Sequence, residues 1–206
     1  DEINEFYRSV YNYKKRARAK IFCMRKRSDF ERMTRKLLDR SMPSRGVGGY
    51  WVDGLKTVVA YDRSYDEEGF TRDAIWQTLF HEASHQFMSL LTKGRHHPPC
   101  WLNEGTSSFF EGSRILKSGE VLWPEAAIRR LRTLSHFLSK GGGPGVEKVL
   151  EFAAPGSYPG EYYCYGWGLM YFMQEYEDPK TLEKVYRPLY QEYRRRITTA
   201  DRQLLP

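Results

Sequence analysis

At Thr71 the chain changes its hydrophobic period, and that change limits the fold more than any other feature of the sequence. Before it, β-rich runs such as Tyr50-Trp51-Val52 and Leu55 to Tyr61 are set off by turn residues. After it, apolar residues recur at intervals of three and four, the spacing of one helix face. Strands followed by a run of helices define an α+β domain, with the helices gathered on one side. The sequence predicts a short helix over 2–13, a strand over 17–25 and a helix opening at Ser28-Asp29 with Phe30, Met33, Leu37 and Leu38 on its apolar face. A hairpin follows, joined across Asp53-Gly54, a dipeptide suited to a two-residue type I′ turn. Helices are then expected over 71–92, 102–117, 124–139, 144–153, 165–176 and 179–196. At 206 residues without an internal repeat, a single domain of two lobes is the simplest organisation, an α/β lobe over 1–92 and a helical lobe over 93–206.

Composition excludes several classes. No apolar run approaches the roughly 18 residues that a membrane-spanning helix needs, so no transmembrane segment is expected. Cys23, Cys100 and Cys164 are too few and too far apart for a disulfide framework, and no Cys-x-x-Cys occurs. The net charge of +7 is unevenly spread: residues 1–45 hold fourteen Lys or Arg against six Asp or Glu, and residues 46–206 hold nineteen against twenty. The excess falls as Lys14-Lys15-Arg16-x-Arg18-x-Lys20 and Arg25-Lys26-Arg27, at the two ends of an apolar stretch. That distribution reads as the solvated rim of a strand, with an anionic surface or polymer partner as the alternative. It does not predict a specific nucleic-acid site, which would gather its charge along one face.

The chemistry is concentrated in His81-Glu82-Ala83-Ser84-His85, inside the helix Arg72 to Leu91. Residues four apart share a helix face, so both imidazoles can address one metal ion while Glu82 stands beside it without having to ligate. Trp76, Leu79, Phe80, Ala83, Phe87 and Leu90 form the opposite, apolar stripe, expected to bury the helix and leave the histidines toward a cleft. With five His and seventeen Glu in the chain, the pattern arises by chance in roughly one such sequence per hundred. A hydrolytic metal site needs a third ligand and an open position for water. Glu104 supplies the third, with eighteen residues, 86–103, between it and His85.

His-Glu-x-x-His, eighteen residues, then Glu resembles the ligand pattern of the gluzincin metallopeptidases. Trp101-Leu102-Asn103-Glu104-Gly105 likewise resembles the Trp-Leu-Asn-Glu-Gly segment of the aminopeptidase N family. The resemblance implies a zincin-like fold, one Zn²⁺ per chain on His81, His85 and Glu104, and Glu82 as general base. It extends loosely upstream, where gluzincins such as thermolysin use the outer strand of a hairpin to hold an extended peptide; Gly48, Gly49, Tyr50 and Trp51 match that strand. Downstream, Tyr165-Gly166-Trp167-Gly168 is similar to a Tyr-x-x-Gly segment whose tyrosine stabilises the tetrahedral intermediate, which implies that role for Tyr165. The aminopeptidases carry an acid in the strand segment that binds the substrate's free amine. Here Gly48 to Val52 has none, and the expectation is therefore internal cleavage.

The implied function is a zinc-dependent hydrolase that cleaves peptide bonds in a peptide or protein substrate, of the compact peptidase MA-like kind. The alternative is a zinc-stabilised module that cleaves nothing and binds an extended peptide or an anionic surface. Members of that compact group are largely bacterial; the sequence leaves the compartment open, with an exported or cell-envelope setting favoured and any signal peptide lying ahead of Asp1. Of the remaining candidates, His96 and His97 are read as exposed loop residues, His136 as structural, and Ser108 as a second-layer partner for a ligand. Cys100 and Cys164 each adjoin a site segment, so a bridge between them stays open.

Overall fold

A computed structural model of the chain describes residues 1–39, 47–93, 97–154 and 156–199. The fold is α+β, with a small mixed sheet near the N-terminus and a helical C-terminal part. In chain order the elements are α1 (Glu2–Tyr11), β1 (Lys20–Met24), α2 (Arg27–Leu38), β2 (Gly49–Val52), β3 (Thr57–Tyr61), α3 (Ala74–Thr92), α4 (Cys100–Phe110), β4 (Arg114–Ile115), β5 (Val121–Leu122), α5 (Ile128–Lys140), α6 (Val146–Glu151), α7 (Tyr162–Glu175) and α8 (Arg187–Thr199). The chain divides into two compact units, Asp1–Phe87 with Ser113–Trp123, and Met88–Gly112 with Pro124–Pro206.

In the first unit the sheet order is β1-β3-β2, with β1 parallel and β2 antiparallel to β3. The central strand Thr57-Val58-Val59-Ala60-Tyr61 is buried at every position, as a strand covered on both faces must be. On one face Val59 and Tyr61 pack with Phe30 of α2, joined by Met24, Met33, Leu37 and Tyr50. The Tyr50 hydroxyl donates to Thr34 Oγ1 at 2.9 Å, and its ring lies 5.6 Å from Phe30.

The second support of this unit is aromatic. Tyr7 and Tyr11 of α1 stack on Phe87 of α3 at 5.3 and 6.0 Å, and Phe6 meets Phe80 edge-on at 5.9 Å. The Tyr7 hydroxyl, fully buried, donates to the Phe80 carbonyl at 2.7 Å, which satisfies the polar end of a ring that otherwise contributes apolar area.

The second unit is built on α4 and α7. Leu102, Phe109, Phe110, Trp167 and Met170 are its largest fully buried side chains there, and Trp101 stacks on Tyr193 of α8 at 5.5 Å. The two helices meet at Gly105 and Gly166. A Cβ placed on Gly105 would stand 2.7 Å from the Gly166 carbonyl oxygen and 3.0 Å from its carbon. Backbone cannot yield to a methyl group without the helices parting, so this contact requires glycine at 105.

The structure corrects the sequence reading at several points. The β2–β3 link is not a two-residue turn: Asp53–Leu55 form a 3₁₀ turn and Lys56, at φ 47°, closes a four-residue loop. Four-residue hairpin loops are built around such turns, and the register pairs Val52 with Thr57. The helix expected over 102–117 ends at Phe110, and the short hairpin β4–β5 follows, where only helix was expected. The helix expected from 179 begins at Arg187, because the Asp178 carboxylate accepts from the amides of Lys180 and Thr181 and Leu182 takes φ 58°, so the segment turns first. The other helices fall within a few residues of expectation. No helix among the described residues is long and apolar enough to cross a membrane.

The glycine contact makes a prediction. Gly105→Ala should lower unfolding stability by about 1–3 kcal/mol, read as a lower denaturant midpoint at unchanged slope. Gly54→Ala, where a Cβ meets nothing within 4 Å, should stay within about 0.5 kcal/mol of the parent.

Candidate metal centre

α3 presents two faces with different duties. At about 100° per residue, Phe80, Ala83 and Phe87 fall on one side and His81 and His85 on the other. The first three are buried, two of them in the aromatic contacts with α1, so the histidine face is turned away from α1. Leu79 and Leu90 of the expected apolar stripe are half-buried. Trp76 departs from it: it is 46% exposed, lying in the first turn of α3, before the contacts with α1 begin.

A second contact fixes the height of α3 on the sheet. A Cβ on Gly49 would stand 2.6 Å from Thr78 Cγ2 and 3.0 Å from the Val59 oxygen. Gly49 therefore seats Thr78, one helical turn before His81, directly on the strand. The sequence reading set the glycine beside an incoming ligand; the structure also packs it against the helix. Thr78 went unnoticed because nothing in its residue type marks it.

His81 and His85 approach one another with ring centroids 4.8 Å apart, and both are half-buried. Glu82, next to them, is only 5% exposed. On α4, Asn103 and Glu104 are the positions that are not buried, the rest of the helix from Cys100 to Phe110 being enclosed. His81, His85 and Glu104 each offer one ligand atom, and these atoms all lie within 4.8 Å of one another. Two imidazole nitrogens and a carboxylate oxygen suit a borderline divalent ion and leave a position open. The cluster could bind a metal ion.

The other candidate residues are placed as follows. On β2 the Tyr61 amide donates to the Gly48 oxygen at 3.0 Å, so Gly48, Tyr50 and Val52 direct their main-chain groups at β3 while Gly49 and Trp51 direct theirs to the open edge. Tyr50 is thus engaged by β3 through its main chain and by α2 through its side chain. Tyr165 is buried, stacks on Phe137 at 6.3 Å, and carries its hydroxyl over Gly143, where a Cβ would lie 2.0 Å away. The tyrosine in the field of Glu104 is Tyr158: burial and then the Glu104 charge push its phenol upward. Its hydroxyl is enclosed and makes no hydrogen bond among the described residues. The aromatic crowding of Tyr158, Tyr162 and Tyr163 was visible in the sequence, but which of them feels the charge of Glu104 was not.

Burial, with Glu104 second, also raises the Cys100 thiol, and burial raises that of Cys164. Both cysteines are buried and free, and Cys164 Sγ donates to the Glu161 carbonyl. Ser108 is fully buried with its hydroxyl unbonded among the described residues, so it does not orient Glu104 by a hydrogen bond. Glu111, the acid that follows α4, is gripped by Arg130, whose Nε and terminal nitrogen donate at 3.0 and 2.7 Å. Arg130 was not singled out in the sequence, since a pairing nineteen residues apart leaves no local signal. His97 and His136 are exposed; His96 lies outside the described residues.

What fold and cluster define is an α+β protein with a His-Glu-x-x-His helix whose histidines, with Glu104, could hold a metal ion. The chain belongs to the family described as Protein of unknown function (DUF1570), whose model matches residues 75–192. That span begins in the first turn of α3 and takes in every residue of the cluster. No curated protein matches the chain.

Adding a divalent transition-metal ion to metal-free protein should raise its Tm, with about 2.7 kcal/mol of stabilisation at a hundredfold excess over Kd. The gain should vanish in the His81→Ala, His85→Ala double variant. It should also shrink as the pH is lowered, because protons and metal compete for the same imidazole nitrogens. A Tm indifferent to metal would mean that the three side chains do not act as a set.

Proposed function

We propose that the protein is a zinc-dependent hydrolase that cleaves peptide bonds within a chain, of the gluzincin type. The observation that carries this reading is the placement of a nearly enclosed carboxylate, Glu82, between two histidines whose ligand atoms converge with that of Glu104. A site that only held a metal for stability would gain nothing from a carboxylate there; a hydrolase needs one to move a proton.

In this reading His81, His85 and Glu104 hold one zinc ion per chain. Bound zinc lowers the pKa of water toward about 7 and polarises the carbonyl under attack. Glu82 accepts the proton of the attacking water and delivers it to the leaving amine. The enclosure of Glu82 keeps bulk water from competing for that proton. The open edge of β2 holds the substrate as an added strand through the main chains of Gly49 and Trp51. Tyr165 steadies the oxyanion in the resemblance, whereas Tyr158 is the tyrosine nearest in electrostatic terms to a ligand, and a comparison of the two assigns the role.

Glu82→Gln should keep the metal and the fold and lower turnover by several orders of magnitude, since the amide is nearly isosteric and cannot accept the proton. Near-normal hydrolysis by that variant would remove Glu82 from the mechanism. Loss of the oxyanion donor should lower kcat by about 10² to 10³ with KM little changed. That loss from Tyr158→Phe, with Tyr165→Phe active, places the donor on Tyr158, and the converse places it on Tyr165.

Internal cleavage has a separate test. β2 carries no acid, and Arg130 holds Glu111, the acid that follows α4, so neither offers a carboxylate to a free α-amine. N-acetylated peptides from a random library should therefore be cut about as well as free ones, with both fragments recovered by mass. Strict dependence on a free amino terminus would point to an exopeptidase.

A further inference from the structure

Among the described residues the sheet has a second open edge, on β1, a strand that carries none of the cluster residues. The Lys20 amide donates to the Lys56 oxygen at 2.9 Å and the Asp62 amide to the Met24 oxygen at 2.9 Å. With the parallel register Lys20↔Thr57 to Met24↔Tyr61, these bonds fix the phase: Lys20, Phe22 and Met24 bond to β3, and Ile21 and Cys23 turn N–H and C=O outward. The strand is exposed along most of its length, Ile21 by 58% and Phe22 by 37%.

Charge surrounds this edge. Residues 14–27 contain eight Lys or Arg and no Asp or Glu. Arg16 pairs with Asp1, Arg27 with Glu31 and Glu67, and Arg25 lies over the Tyr65 ring. Lys14, Lys15, Arg18, Lys20 and Lys26 are exposed and form no ion pair among the described residues. Asp1, Glu31 and Glu67 are therefore engaged by Arg16 and Arg27, and positive charge is left at both ends of an apolar strand.

We propose that the β1 edge binds an extended peptide segment of another protein as a fourth strand, with an apolar, β-forming middle flanked by acidic residues. The outward N–H and C=O groups of Ile21 and Cys23 need a partner that both accepts and donates, and a polypeptide backbone does so at strand spacing. A nucleic acid offers phosphate acceptors but nothing regular for the carbonyls. A second copy of this edge would bring like charges opposite one another, which disfavours pairing. An acidic partner is drawn to both ends at once, and Ile21 and Phe22 cover the apolar middle.

The test uses the full chain and a fluorescent, end-blocked octapeptide of two glutamates, four alternating valines and threonines, and two glutamates, followed by anisotropy at about 0.05 M salt. Saturable binding is expected, weakening by about tenfold or more as salt rises. A peptide N-methylated at alternate residues should not bind, nor should the version with lysines in place of glutamates. Cys23→Pro removes an outward amide that β3 does not use, so it should abolish binding while leaving the circular dichroism and Tm unchanged. The Lys15→Glu, Arg18→Glu double variant should weaken binding by at least about tenfold through charge alone. Equal binding of the N-methylated or lysine peptide overturns the proposal. Binding lost in Trp51→Pro but kept in Cys23→Pro places the peptide on β2 and also overturns it, as does tighter binding of an oligonucleotide that Cys23→Pro leaves unaffected.

Discussion

The contact between α1 and α3 decides where the chemistry of this protein points. Tyr7 and Tyr11 stack on Phe87, Phe6 lies against Phe80, and the Tyr7 hydroxyl reaches the α3 backbone itself. Rings of this size contribute far more area than any polar group on the helix, so they set its rotation about its own axis. Once Phe80, Ala83 and Phe87 face α1, helical geometry leaves His81 and His85 no other direction than the far side. The seat of Thr78 on Gly49 then fixes translation as well as rotation. A metal site needs both, because a rotation of a few tens of degrees or a rise of one residue would separate the donors.

The placement of Glu104 depends on a different device. α4 is enclosed along nearly its whole length, and buried Thr106, Ser107 and Ser108 on it supply little apolar area. Close approach takes the place of large side chains: Gly105 and Gly166 bring the α4 and α7 backbones together, and the Thr106 hydroxyl donates to Met170 sulfur at 3.8 Å. Ser107 returns its hydroxyl to the Asn103 oxygen at 2.9 Å, within the helix. A helix held by backbone contact has few rotational alternatives, since turning it would drive a Cβ into a carbonyl. Glu104 precedes Gly105 by one residue, and its direction follows from that contact.

How much of this the sequence disclosed follows the range of the forces involved. The α+β order, β3, the anchoring positions Phe80 and Phe87, and the cluster His81, His85 and Glu104 were legible, because helical and strand periods are local and the spacing of the three donors is written along the chain. The hairpin β4–β5 was not, because two-residue strands carry no alternation and Ser118-Gly119 was their one turn signal. Asp53-Gly54 misled in another way: the dipeptide favours a tight turn in isolation, but the register that buries β3 needs the two further residues Leu55 and Lys56. The surroundings of Tyr50, Tyr158, Tyr165 and Arg130 were hidden for one reason. Each is settled by a neighbour distant in sequence, namely Thr34, Glu104, Gly143 and Glu111. Residue type and spacing say what such a side chain can do and leave open what it meets.

A three-stranded sheet of this order has two edges, and the chain treats them differently. β2 is short, its tyrosine is tied into the core, and Gly49 holds the strand close under α3. β1 is left exposed, with isoleucine and phenylalanine in its middle and lysines and arginines around it. Charged residues at an edge usually serve to prevent association, and repulsion between copies is one consequence here. Blocking all association, however, is better done by an inward charge, a proline or a bulge within the strand, none of which interrupts Lys20–Met24. Charge confined to the ends discriminates between partners without closing the strand. The same lysines that turn away a second basic edge lower the energy of an acidic one, and Debye screening leaves that preference intact only near the surface, where the main-chain groups of Ile21 and Cys23 stand.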